Sequence, residues 1–193
     1  MTEGLHYAAE AGHVDQMILS ADERTIRQST EIDMIIRPTH SIPENGALKI
    51  RFPPEFTLPT SCSITNPINI SPTSTCSSSN HEITLRNAFP ELYVPSINGE
   101  IRLSIPQIVM PNTSGPSGEF GFFTYAEDSA DGNLYEIDAS YVDDLIRAIP
   151  DVITQGEVLP DSFVTFEETT YTISFVLKND MVREGQVVIV IPD

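Results

Sequence analysis

Apolar and polar residues alternate with a period of two along most of the chain. Val14 to Ala21, Glu31 to Arg37, Ala47 to Pro53, Glu82 to Arg86, Glu91 to Val94, Gly99 to Val109, Gly118 to Tyr125, Val152 to Leu159, Thr170 to Leu177 and Gln186 to Pro192 either alternate or concentrate β-branched and aromatic residues. Pro, Asn, Gly and Ser separate these runs, so each is expected to be a short strand. Residues two apart share a strand face, so Ile32, Met34 and Ile36, with Leu48, Ile50 and Phe52, are expected to point into one core. One stretch departs from the period. Val142, Leu145, Ile146 and Ile149 recur at helical spacing between Ser140, a residue suited to an N-cap, and Pro150, which predicts a short helix over Tyr141 to Ala148. The fold class expected is all-β, a sandwich with one short helix.

Two segments align without a gap at an offset of 139 residues. Asp22, Thr30, Gly46, Ile50 and Pro53 recur as Asp161, Thr169, Gly185, Ile189 and Pro192, and Ile32, Met34 and Ile36 fall on Tyr171, Ile173 and Phe175. Each copy reads as an alternating strand that turns into a second apolar strand, a β-hairpin seen twice. The organisation expected is an N-terminal segment over 1–21, a complete sandwich over 22–151 and the opening strands of a second over 152–193. Tyr171, Ile173 and Phe175, with Val187, Ile189 and Ile191, are expected to line the second core. Two or three strands cannot bury both faces of a sandwich, so another chain is expected to complete that unit. The strand near Val14 to Ala21, carrying Val14, Met17, Ile18 and Leu19, is the candidate donor.

Charge narrows the partners. The 193 residues hold 10 Lys plus Arg against 28 Asp plus Glu, a formal charge of -18, which would repel a phosphate backbone and argues against nucleic acid. No run approaches the roughly 20 apolar residues that would span a bilayer as a helix. From Thr57 to Ser79, 12 of 23 residues are Ser or Thr, and this polar loop holds both cysteines, Cys62 and Cys76. A bridge between them is expected, with two free thiols as the alternative; no His or further Cys nearby completes a tetrahedral metal set. Such a bridge would place the chain in an oxidising compartment, outside the cell or on its surface.

Several of these segments together resemble a known class of module. They are Met17 to Met34 (MILSADERTIRQSTEIDM), the turn Ser41 to Gly46, the strand Leu48 to Pro53 with Glu55 and Phe56, the Cys62 and Cys76 loop, Leu85 to Phe89, Ser114 to Tyr125 (SGPSGEFGFFTY) and Asp131 to Asp138 (DGNLYEID). Their order resembles the Ig-like modules repeated in very large surface and secreted proteins of ciliates and some environmental microbes. The resemblance implies a structural, extracellular β-sandwich without an active site, strung or polymerised into fibrous material. Met1 to His13 and the helical stretch at Tyr141 depart from that pattern. Leu5 to His13 also resembles the opening of an ankyrin repeat, but one such repeat has nothing to stack against.

Candidate chemistry is sparse. His6, His13, His40 and His81 stand without HExxH, GxSxG or a phosphate-cradling glycine loop, so no enzyme and no cofactor are expected. Glu127, Ser129, Asp131, Gly132 and Asp138 occupy positions 1, 3, 5, 6 and 12 of an EF-hand-like loop, a candidate calcium set with a turn as its alternative. Asn69-Ile70-Ser71 and Asn112-Thr113-Ser114 fit the N-glycosylation pattern, making Asn69 and Asn112 candidate glycan sites. The function expected is a subunit of an extracellular fibril or pilus-like filament, partnered by copies of itself in a helical homopolymer, and assembled head to tail by strand complementation. The alternative is a surface adhesion or carbohydrate-binding module.

Overall fold

The computed structural model describes residues 11–179, 181 and 185–190, and the chain divides after Ile149 into two units. Among its described residues the first unit holds nine strands: β1 (Val14–Ala21), β2 (Ser29–Pro38), β3 (Ala47–Arg51), β4 (Thr65–Ile68), β5 (Thr75–Ser79), β6 (Glu82–Arg86), β7 (Ile101–Val109), β8 (Glu119–Glu127) and β9 (Leu134–Asp143), with the four-residue helix α1 (Pro95–Asn98) between β6 and β7. They form a four-stranded sheet in the order β1-β2-β7-β4 and a five-stranded sheet in the order β5-β6-β3-β8-β9, with antiparallel neighbours throughout. The all-β sandwich expected from the alternation is the fold observed.

One core lies between the sheets. Ile32, Met34 and Ile36 of β2 meet Leu48 and Ile50 of β3, Ile83 and Leu85 of β6, Ile101, Leu103 and Ile105 of β7, and Phe120 and Phe122 of β8. Each such side chain removed from water contributes about 1.5–3 kcal/mol before the entropy of ordering is set against it. Phe52, Phe56 and Phe120 meet edge to face with centroids 5.4 to 6.1 Å apart, the arrangement favoured by ring quadrupoles. The expected first core group is therefore in place.

Three local expectations are corrected. β2 and β3 are not a hairpin, because they lie in opposite sheets and the segment between them crosses the sandwich. Gly46 makes that crossing sterically possible, since a Cβ there would sit 2.6 Å from Ile42 and 2.8 Å from the Tyr125 carbonyl. Tyr141 to Ala148 is not a helix. Tyr141 and Val142 pair across β8 with Gly121 and Phe120, and the chain beyond β9 brings Ile146 and Ala148 into the core. Apolar residues at helical spacing served two different burials, and tertiary pairing overrode local propensity. The helix lies instead at Pro95, whose missing N–H suits a first helical position, and ends at Gly99 with φ of 79°. Glu91 to Val94 forms only an isolated bridge, Ile42 to Tyr93.

The second unit contains β10 (Thr154–Pro160) and β11 (Tyr171–Val176), which pair as an antiparallel hairpin. The pairing thus joins the strands expected over Val152 to Leu159 and Thr170 to Leu177, where the expected hairpin joined Thr170 to Leu177 with Gln186 to Pro192. Val187 and Ile189 lie outside any strand and are exposed, Tyr171 and Ile173 are exposed and Phe175 is half-buried, so within the described residues of this chain they enclose no second core. Among the described residues no second layer faces them, and two strands alone cannot supply one. Ile191 lies outside the described residues.

Candidate functional site

The β10–β11 hairpin reproduces the turn end of the β1–β2 hairpin at the 139-residue offset, while the far ends differ: Gln16 pairs with Arg37, whereas Thr154, one residue earlier than the counterpart of Gln16, pairs with Val176. Ile18, Leu19, Ser20 and Ala21 pair with Ile35, Met34, Asp33 and Ile32. Their counterparts Glu157, Val158, Leu159 and Pro160 pair with Ser174, Ile173, Thr172 and Tyr171 in the same register. The connecting turn is copied too. The Asp22 amide donates to the Glu31 carbonyl at 3.2 Å, and the Asp161 amide to the Thr170 carbonyl at 2.9 Å. The Glu23 amide donates to Thr30 Oγ1 and the Ser162 amide to Thr169 Oγ1, both at 2.9 Å. Gln28 donates to Thr25 and Glu167 to Val164, and Arg27 and Phe166, also 139 apart, are both left-handed with φ of 60° and 65°. A left-handed non-glycine residue is uncommon, so its recurrence at the offset marks the same turn built twice.

The two hairpins differ in what covers them. β2 has β1 on one side and β7 on the other, whereas β11 has β10 alone among the described residues. Ile32 is 0% exposed and its counterpart Tyr171 59%; Met34 is 1% exposed and Ile173 36%. Val158, Leu159, Phe163 and Val164 are exposed as well. This unit therefore presents an open backbone edge and uncovered apolar side chains, the requirements for taking up further strands.

The expected donor is engaged within its own chain. β1 is paired with β2 of its own chain, burying Val14 and Leu19 in the first core, with Met17 packed against it and Ile18 on the outer face. Gly12 continues the attachment, its N–H donating to Ile137 and its carbonyl accepting from Ala139, and Val14 donates to Ser140 Oγ. β10 moreover already fills, in the second unit, the position β1 holds in the first.

The calcium set is not assembled. Glu127 is tied to Arg86 at 2.5 Å. Asp131 closes the β8–β9 turn by accepting from the Asn133 amide at 2.9 Å. Asp138 is fully buried on the opposite side, where it accepts from Thr39 Oγ1 at 2.8 Å, from the His40 amide at 3.2 Å and pairs with His40 Nδ1 at 2.7 Å. Ser129 lies in the turn itself. Alternation along β9 sends Asp138 inward and away from the loop, and among the described residues no group of three metal-ligating side chains forms.

Cys62 and Cys76 are bonded, with Cα atoms 5.4 Å apart. Cys76 lies on β5, an edge of the five-stranded sheet, and Cys62 just before β4, an edge of the four-stranded one, so the bond closes one side of the sandwich. Asn112 is exposed and accepts from Arg27 through its side-chain oxygen. Asn69 is half-buried and spends its amide nitrogen on the Asn98 and Glu100 carbonyls, both at 2.7 Å.

One face escaped the sequence reading. On the outer side of the five-stranded sheet, Phe123, Tyr125 and Ala47 form a second small cluster, and Phe123 meets Tyr141 edge to face at 5.3 Å. Arg51 lies over the rings of Phe123 and Tyr141, and Lys49 over Tyr125. Both cations bond Glu82. Burial alone would push the Glu82 carboxyl up, but the hydrogen bond from Arg51 and the charges of Lys49 and Arg51 hold it below its ordinary value. Burial, with Glu136 beside it, pushes the Tyr125 hydroxyl up to about 12. The available signal was the adjacency of Phe122 and Phe123, since one of two neighbours in a strand must face outward.

No family model matches the chain, and no curated protein matches it. The resemblance to Ig-like surface repeats therefore has no family match behind it. Among solved structures the chain is similar to BslA, a bacterial hydrophobin, at a TM-score of 0.39 and 17% identity over 75% of this chain and 99% of that one. It is also similar to a cohesin module from a Clostridium perfringens ATCC13124 family 33 glycoside hydrolase, at a TM-score of 0.46 and 12% identity over 74% of this chain and 100% of that one. Likenesses this distant carry no argument about activity, and the β-sandwich rests on the two sheets described above.

Proposed function

We propose that this chain is a structural, non-enzymatic component of extracellular or cell-surface material, built from β-sandwich modules that recur every 139 residues. The observation that carries the reading is the copied hairpin, whose register, turn bonds and left-handed residue all repeat at that offset. A module copied in series is a device for length, and its terminal faces are where neighbouring modules or subunits join. The bonded cysteine pair suits an oxidising compartment. Fibre formation follows if the second unit takes its remaining strands from a neighbouring subunit, because a head-to-tail contact of that kind propagates instead of closing. Limited proteolysis of the native material, read by intact mass and electron microscopy, tests the reading. Fragments spaced by one 139-residue repeat, from linear particles, support it; single compact particles without that spacing overturn it.

The outer face of the five-stranded sheet favours a second reading, adhesion. Tyr141 stands exposed there beside Arg51, and Lys49 lies over Tyr125 on the same face, a combination of flat rings and hydrogen-bond donors suited to sugar rings. Glycan-array binding lost on Tyr141→Ala would favour it over a purely structural role.

A further inference from the structure

Resting on the serial-module reading, we propose that the edge of β11 left open among the described residues accepts the next strand of the second unit, and that this strand runs antiparallel and is patterned like β7. The position follows from the copied pairing. β2 has two neighbours, β1 and β7, and β10 already holds β1's place against β11. The place left is β7's.

The first unit shows what fills that place. Ile105, Leu103 and Ile101 of β7 stand opposite Ile32, Met34 and Ile36, and all six are buried. The counterparts of the last three are Tyr171, Ile173 and Phe175, so the incoming strand sets an apolar side chain opposite each. Polar residues alternate on its outer face, as Arg102 and Ser104 do opposite Ile35 and Asp33. Side-chain size sets this face apart from that of the first unit. Tyr171 and Phe175 stand where the first unit has Ile32 and Ile36, and Gly156 where it has Met17. Larger rings on β11 and a bare glycine on β10 redistribute the volume of this face, so the β10–β11 hairpin is shaped for a differently packed facing sheet.

The test joins a strand to the whole chain through a flexible linker after Asp193, which holds it at an effective concentration of about millimolar. One fusion carries residues 99–111, the β7 type, and another residues 13–22, the β1 type. Hydrogen exchange should slow at least tenfold across Tyr171–Val176 with the first fusion, and change less than twofold with the second. Adding Ile173→Asp to the first fusion should abolish the protection. Protection from the β1-type strand alone, protection confined to Thr154–Pro160, or no protection from either fusion would overturn the proposal. Native material lacking the 139-residue spacing would instead overturn the serial-module reading, whatever the fusions show.

Discussion

The Ser162 amide donates to the Thr169 hydroxyl at 2.9 Å, the distance at which Glu23 donates to Thr30 one repeat earlier. Thr30 is buried, so Thr30→Val removes the hydroxyl to which the Glu23 amide donates and should cost the first unit about 1 kcal/mol. Urea unfolding should show the loss, and Thr30→Ser, which keeps the hydroxyl, should restore most of it.

Removing residues 1–21 should destabilise the first unit. The deletion strips an edge strand that buries Val14 and Leu19, and those side chains alone are worth about 3–6 kcal/mol. A lowered urea midpoint checks this; an unchanged one would mean that β1 contributes nothing to its own sandwich.

Reducing the Cys62–Cys76 bond should cost about 3 kcal/mol, the chain-entropy value for a loop of this length. Unfolding with and without reductant measures it. A Cys62→Ala, Cys76→Ala chain should match the reduced protein.

Strand positions were legible where a strand alternates and is bounded by turn residues. Val14 to Ala21 and Glu82 to Arg86 were found with the bounds observed. Which sheet a strand joins was not legible, because alternation assigns faces and not neighbours. Alternation alone therefore makes a hairpin of β2 and β3, although they lie in opposite sheets. The Asp138 network was equally hidden, since His40 and Asp138 meet across 98 positions of sequence and a loop motif sees only local spacing. The repeat was legible as five recurring residues, but its depth rests on backbone bonds at Asp22, Ser162 and Thr170 that sequence does not display.

Alkaline titration should show a late tyrosinate phase near pH 12. Burial pushes both Tyr93 and Tyr125 from an ordinary 10 up to about 12, with Glu100 and Glu136 adding to the rise. The unfolded chain loses these protons first, so their contribution to stability is intact below about pH 10 and is lost as pH rises through 12. Tyr93→Phe and Tyr125→Phe should each remove part of the late absorbance change.

Glycan, where the material carries it, should be found on Asn112 and not on Asn69. Attachment at Asn69 would break two bonds from its side-chain nitrogen to Asn98 and Glu100, while Asn112 is exposed. Peptide mapping after glycosidase treatment distinguishes the two.

Cross-linking of matched cysteine pairs tests the copied module most directly. Ser20 pairs with Asp33, and Leu159 with Thr172, each 139 residues on. In separate chains, Ser20→Cys with Asp33→Cys and Leu159→Cys with Thr172→Cys should both form disulfides under mild oxidation, located by peptide mapping. A pair shifted by one, Leu159→Cys with Ile173→Cys, should stay reduced because its side chains leave opposite faces. Oxidation of the shifted pair, with Leu159→Cys and Thr172→Cys remaining reduced, would contradict a second unit that begins as a copy of the first.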